Sequence, residues 1–350
     1  MNATGCALFQ RYRGLSSSLP RLRLGTSPSP VRRLAGLERR IGPGEIWVKN
    51  DGSYGTVYGG NKTRKLEFIL ADVLRRGAST IITFGGMGSH HCLATALYAP
   101  QFGLKTVLVL VDQPTTDEVR TNIQRLRASG ARLHHAHSPV RAALLGGWLA
   151  LRHASLSRPR LPYVLWPGGS TAVGCLGYVN AALELGQQVE AAELPRPASI
   201  VVPLGSNGTA AGLLLGLRLA GLDSRLIAVR VSHYPGVGAA GVARLANAAA
   251  RLLRSRGAGI PQTPFVPADL RVVESYLGRG YSYPTAEAEA AKDLVLQAEG
   301  LQLDLTYTAK AFAAVLALLQ TGLLPKGPVL YWHTLNALPL PAAPVGQNRT

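Results

Sequence analysis

The chain has 350 residues, 47% of them apolar and 16% charged, which excludes a disordered protein and allows one large core or two intertwined ones. Lysine and arginine outnumber aspartate and glutamate 37 to 19, a formal net charge of +18. The arginines are scattered, with no dense basic run interleaved with aromatics, so a basic solvated surface is expected rather than a specific nucleic-acid groove. No apolar run reaches membrane-spanning length: Leu213–Leu217 is stopped by Arg218, and 142–151 is too short. The three cysteines, Cys6, Cys92 and Cys175, lie far apart, so neither a disulfide framework nor a zinc knuckle is expected, and a reducing, cytoplasmic setting fits.

The opening stretch is rich in Arg and Ser, and its first acidic residue is Glu38. It faintly resembles an organelle transit segment, but Pro28 and Pro30 break any long amphipathic helix, so a short disordered lead-in is expected, with residues 1–20 mobile. From Ile46 onward, apolar β-branched runs alternate with helical stretches. Strands are expected at 46–48, 80–84, 106–111, 163–166, 200–203, 226–231 and 329–332, and helices at 66–74, 117–129, 172–185, 286–299 and 309–320. The strand runs are almost continuously apolar, as strands buried on both faces must be. Such alternation predicts an α/β fold with mostly parallel sheets, whose ligands bind at the carboxyl ends of the strands. Gly257 to Pro267 reads as a possible linker, and the Pro-rich tail (338–350) as extended and mobile.

Several glycine clusters fall on strand-to-helix turns. Gly59-Gly60-Asn61-Lys62 places a lysine at the mouth of an amphipathic helix, where desolvation can lower its pKa and allow a Schiff base; an ordinary solvated lysine is the bland alternative. Far downstream, Gly205-Ser206-Asn207-Gly208-Thr209 follows an apolar strand and opens a helix, offering backbone N–H groups and hydroxyls to a phosphate. It is neither a P-loop nor a clean dinucleotide turn. A third turn, Gly85-Gly86-Met87-Gly88-Ser89-His90-His91, starts a helix that favours a substrate carboxylate, with Ser89 as anchor, proton relay or plain N-cap. His134, His135 and His137 invite a metal, and on a strand His135 and His137 share a face. No carboxylate or cysteine lies near them in sequence, so no metal is expected there and a solvated strand end is preferred.

These motifs together resemble the 1-aminocyclopropane-1-carboxylate deaminase/D-cysteine desulfhydrase family of pyridoxal-phosphate enzymes, related to tryptophan synthase β. The resemblance runs from about Pro28 to Thr334, and the stretch Gly59 to Glu67 is its most specific piece. It implies a two-domain, fold type II architecture, with residues 1–65 and 177–350 forming a large cofactor-binding domain and 66–176 a small inserted α/β domain. It implies pyridoxal 5'-phosphate as cofactor, Lys62 as its covalent anchor, and Asn61, His90, Gly205, Ser206, Asn207, Gly208, Thr209 and Thr334 as its contacts. Catalysis would then rest on Lys62, Ser89, Tyr281 and Tyr307, with Ser89, His90 and His91 at the substrate and a homodimer as the assembly.

The departures carry information. His90 stands where the family has an asparagine on the cofactor's phenolic oxygen, and Leu335-Asn336 replace two glycines after Thr334. Aminocyclopropane deaminases carry a glutamate after the tyrosine that matches Tyr307, where this chain has Thr308. The resemblance therefore leans to D-cysteine desulfhydrase-like β-elimination, with Thr334 as a neutral partner of the pyridine nitrogen. Aminocyclopropane ring opening, racemisation, β-replacement and a degenerate cofactor-binding protein are the alternatives.

Overall fold

The computed structural model describes residues 5–42, 44–154 and 161–340. In chain order its strands are β1 (Val31–Arg33), β2 (Ile46–Asn50), β3 (Thr80–Gly86), β4 (Lys105–Val111), β5 (Arg132–His137), β6 (Tyr163–Leu165), β7 (Ser199–Leu204), β8 (Arg225–Arg230), β9 (Arg271–Val273) and β10 (Val329–His333). They form a six-stranded sheet, β1-β2-β10-β7-β8-β9, and a four-stranded one, β5-β4-β3-β6. Every pairing is parallel except β1 on β2. The fully buried β7 and β10 lie in the middle of the larger sheet, where helices cover both faces and only continuous apolar runs are tolerated.

The helices are α1 (Ala7–Arg11), α2 (Leu15–Ser18), α3 (Ala35–Ile41), α4 (Asn61–Arg75), α5 (His90–Tyr98), α6 (Asp117–Ala128), α7 (Pro139–Arg152), α8 (Ala172–Glu190), α9 (Gly208–Ala220), α10 (Ala239–Ser255), α11 (Ala286–Glu299) and α12 (Thr308–Gln320). All four strands of the smaller sheet fall between residues 80 and 165. The chain positions expected to bound a small domain, 65/66 and 176/177, fall inside α4 and α8. These two helices lie against each other so closely that a β-carbon at Gly177 would strike the Arg64 carbonyl. No helix among the described residues is long and apolar enough to cross a membrane.

A buried polar network sits where α4, α8, β2 and β10 meet. The Arg64 guanidinium reaches Asp51 Oδ1 and Glu184 Oε1, each at 2.8 Å, and Lys49 Nζ reaches Glu184 Oε1 at 2.7 Å. The second Asp51 oxygen accepts from the Tyr178 hydroxyl and the Trp332 indole N–H, both at 2.7 Å. Two cations and two anions thus balance one another, with further hydrogen bonds to Ser29 and Gln188.

Two expectations need correcting. Residues 5–20 are not a mobile lead-in: Cys6, Leu8, Phe9, Leu15 and Leu19 are buried in the main core, and Leu8 N–H donates to Asn180 Oδ1 of α8 at 3.0 Å. The apolar residues beneath the basic ones explain the docking. Gly257 to Pro267 does not link domains either, since it joins α10 to β9 within one unit, buries Ala258, Ile260 and Phe265, and is strapped by both Asn247 amide atoms on the Phe265 backbone. At the other end, Leu338 N–H donates to Asn336 Oδ1 at 3.2 Å; residues 1–4 and 341–350 lie outside the described residues.

Burial pushes the Glu184 carboxyl up, but Arg64 and Lys49 hold it well below the usual carboxylate range. A depressed folded-state pKa means its stabilisation is complete above the unfolded carboxylate value, about 4.3, and is lost as pH falls below it. Arg64→Met should therefore destabilise the protein by about 3–5 kcal/mol in urea denaturation. The stability difference between wild type and Glu184→Gln should shrink as pH is lowered from 6 towards about 3.

Candidate active site

A cavity of about 900 Å³ opens at the carboxyl ends of strands from both sheets, lined by residues that end or follow β3, β4, β6, β7 and β10. This is where parallel α/β sheets place ligands, and the volume suits a cofactor with a small substrate. Lys62, in the first turn of α4, lines it. Burial drives its amine well below the ordinary lysine value, Lys65 adds to the effect, and Asp304 only partly opposes it. A shift in this direction favours the unprotonated, nucleophilic form of the amine.

The glycine loop after β7 lines the same cavity. Asn61 Nδ2 donates to Thr209 Oγ1 at 3.2 Å, which sets the start of α4 against the start of α9. Ser170 Oγ donates to Ser206 Oγ at 3.0 Å and accepts from Gly208 N–H at 3.2 Å. Lys65 Nζ donates to the Gly168 carbonyl at 3.0 Å, and burial lowers its pKa to about 8. A β-carbon on Gly208 would lie 2.8 Å from Ser170 Oγ and 2.9 Å from Lys65 Nζ. The start of α9, the Ser170 and Ser206 hydroxyls and the Lys65 amine thus lie close together next to the cavity-lining loop, and that donor set fits a phosphate. The Asn207 side chain instead spans the Gly236–Gly238 turn, donating to Gly236 O and accepting from Gly238 N–H, so only its backbone faces the loop.

Sequence reasoning passed over Lys65 and Ser170. A signal for Lys65 existed, since it lies at i+3 from Lys62 and shares that helix face.

Ser89 caps α5, its Oγ accepting from Cys92 N–H at 3.3 Å, and lines the cavity. His91 is buried, and burial, with Lys62 and Lys65, keeps its imidazole neutral. The Thr83 hydroxyl donates to Leu165 O and lies 2.9 Å from His91 Nε2, so Nε2 carries the proton and donates to it. His90 has protein partners on both ring nitrogens, Tyr58 OH on Nδ1 at 2.5 Å and Glu118 Oε1 on Nε2 at 2.8 Å. Neither partner was foreseen. Contact between His90 and a cofactor oxygen would require one of them to give way.

On the far wall the Tyr281 and Tyr307 hydroxyls lie 2.5 Å apart, and burial raises both pKa values far enough to keep them protonated. Asp304 fixes Tyr307 by accepting from the backbone N–H groups of Thr306, Tyr307 and Thr308 at 3.0, 2.7 and 3.0 Å. The Thr308 hydroxyl also donates to Asp304, at 2.5 Å, so it belongs to this cap rather than to the cavity. Thr334 lines the cavity at the end of β10, and its carbonyl accepts from Asn61 N–H at 3.1 Å. Asn336 holds Gly59 N–H through Oδ1 at 2.5 Å, an anchor that two glycines could not provide. His134, His135 and His137 do not line the cavity.

The pyridoxal-phosphate dependent enzyme family matches this chain over residues 22–334. A D-cysteine desulfhydrase from Klebsiella pneumoniae (strain 342) is 36% identical over 326 residues, spanning 91% of this chain and 94% of its own. Among solved structures, an "ACC deaminase homologue" superposes with a TM-score of 0.78 at 30% identity, covering 95% of both chains. Threonine deaminase isoform 2 from Solanum lycopersicum superposes with a TM-score of 0.63 at 15% identity, over 95% of this chain and 90% of its own, and speaks for the fold alone.

Gly208→Ala should weaken retention of pyridoxal phosphate at least about tenfold, since a methyl there displaces a phosphate donor held in hydrogen-bond geometry. Lys65→Met should do the same through loss of the ammonium. Equilibrium dialysis of each variant against the free cofactor measures both.

Proposed function

The chain belongs to the pyridoxal-phosphate-dependent enzymes, and from that premise we propose that it catalyses β-elimination on a small amino acid, in the manner of a D-cysteine desulfhydrase. The products are a 2-oxo acid, ammonia and the released β-group. The observation that carries this reading is the shared cavity of Lys62 and the 205–209 loop, with Thr334 and no carboxylate at the end of β10. When bound, pyridoxal phosphate supplies the electron sink for the pair left at Cα once its proton departs.

The chain's own residues bind, orient and move protons. Lys62 would hold the cofactor through its aldehyde and, once displaced by the substrate amine, would be placed to take the α-proton, its lowered pKa favouring the unprotonated amine. Ser89 Oγ accepts from Cys92 N–H, which leaves its hydrogen to donate to the substrate carboxylate at the start of α5. Because Tyr281 and Tyr307 share one hydrogen bond while both protonated, one O–H of the pair is left to protonate the leaving group.

His90 serves as a proton conductor. Burial lowers its pKa, but the hydrogen bond and charge of Glu118 outweigh this and raise it. As imidazolium it donates from both nitrogens, so Tyr58 OH accepts from Nδ1 and its own hydrogen is free to point into the cavity. The Glu118 side chain is 35% exposed, which completes a route from cavity to solvent. A homodimer is the expected assembly, read from the family resemblance and measurable by light scattering. The three buried free cysteines fit a reducing, cytoplasmic location.

A panel of D- and L-amino acids with β-leaving groups, read by 2-oxo acid formation, tests the reading. Turnover of D-cysteine is expected; 2-oxobutanoate from aminocyclopropane carboxylate alone would overturn it in favour of ring opening, and an inverted or β-substituted amino acid in favour of racemisation or replacement. Lys62→Ala should abolish both the visible absorption of bound cofactor and turnover. The depressed Lys62 pKa also sets a pH dependence: capture of pyridoxal phosphate by apo-enzyme should accelerate with pH through a midpoint well below 10.5. Glu118→Gln should move the basic limb of kcat/KM downward in pH, with a matching fall of the His90 imidazole pKa by NMR.

A further inference from the structure

The smaller sheet carries a histidine cluster that the proposed reaction does not use. β5 pairs regularly with β4 as far as Leu110↔His135, then the register shifts and Val111 pairs with His137. Ala136 turns inward and is buried, while His137 takes a left-handed conformation with φ 59°. The imidazoles of His135 and His137 end up side by side, ring centroids 3.9 Å apart. One residue past β4, Asp112 donates its N–H to His137 O at 3.4 Å. Its Oδ1 lies 2.5 Å from His135 Nε2, and its Oδ2 lies 3.5 Å from His137 Nδ1. The carboxylate that is missing from the local sequence is thus supplied by the neighbouring strand.

We propose that Asp112, His135 and His137 form a binding site for a divalent transition metal of the zinc class. One ligand atom from each residue lies within 4.8 Å of the others. Donors at about 2.0–2.1 Å from a tetrahedral zinc ion are about 3.3 Å from one another. The Asp112–His137 pair already has that spacing. The Asp112–His135 pair needs to open by less than about 1 Å, exchanging a hydrogen bond for two bonds to metal. Two imidazoles and one carboxylate suit zinc, nickel or copper better than calcium or magnesium, which prefer all-oxygen shells. The three side chains are 40–60% exposed, so water can complete the coordination. The site adjoins Gln113, whose side chain accepts from Gly88 N–H at 3.2 Å and donates to Ser282 Oγ at 3.3 Å. A bound cation would therefore pin the end of β4 beside the residue that joins the β3–α5 turn to Ser282.

Calorimetric titration of the untagged, cofactor-loaded protein with zinc alone tests this, with cobalt absorption as a second readout. One equivalent should bind to wild type, and Asp112→Asn and His135→Ala should each weaken binding at least about tenfold. His137→Asn should do so too, and asparagine tolerates the left-handed backbone, so any loss is the imidazole's. His134→Ala, on the opposite strand face, should bind zinc as wild type does. Zinc should also raise the thermal midpoint of wild type but not of Asp112→Asn. Equal zinc affinity in wild type and Asp112→Asn, or no binding by wild type at all, would overturn the assignment.

Discussion

Everything near the cavity depends on the balanced charges around Arg64. That guanidinium is fully buried and joins Asp51 to Glu184, so the start of α4 is tied to the residue after β2 and to the middle of α8. Lys49 closes the network on Glu184 from β2, and Ser29 enters it from the N-terminal segment through Asp51 Oδ1 at 2.8 Å. Buried ions left unpaired are costly, so any slip of one element against another is opposed by several groups at once. Lys62 sits two residues from Arg64, and its position is inherited from this network.

The charged residues of the Asn61–Glu67 stretch accordingly have separate addresses on one helix. Arg64 points to the network between the elements. Lys65 points to the Gly168 carbonyl and the start of α9. Glu67 turns away to Arg21 at 2.9 Å, the Tyr54 hydroxyl at 2.9 Å and the Leu24 N–H at 3.0 Å. Lys62 lines the cavity itself. A helix with so many buried charges is unstable by itself and is held by tertiary partners.

Much of this was legible in the sequence, for identifiable reasons. Strands buried on both faces leave continuous apolar runs, so β7, β8 and β10 announce themselves. β1 and β9 do not, being three-residue edge strands with arginines, where one side of the strand needs no partner. The basic lead-in concealed Leu8, Phe9 and Leu15, because net charge masked a short apolar stripe. Lys62 and the 205–209 loop were visible as local motifs. The partners that set their chemistry were not: Glu118 reaches His90 from a separate helix, Asp112 reaches two histidines across a sheet, and Tyr58 lies in a turn with no periodic signal. Such pairs are created by topology, and no spacing along the chain encodes them.

The near-neutral pKa of Lys65, about 8, gives the phosphate cradle an unusual property. With a pKa of about 8 the Lys65 amine loses its charge at mildly alkaline pH, and under the proposed function a phosphate beside it would raise that value. Under the proposed function, cofactor binding would take up protons at Lys65 at mildly alkaline pH, while Lys62, three residues earlier, would need to be without its proton to react. The charge on Lys65 is itself one of the forces lowering Lys62, so the two amines of this helix turn titrate as a linked pair.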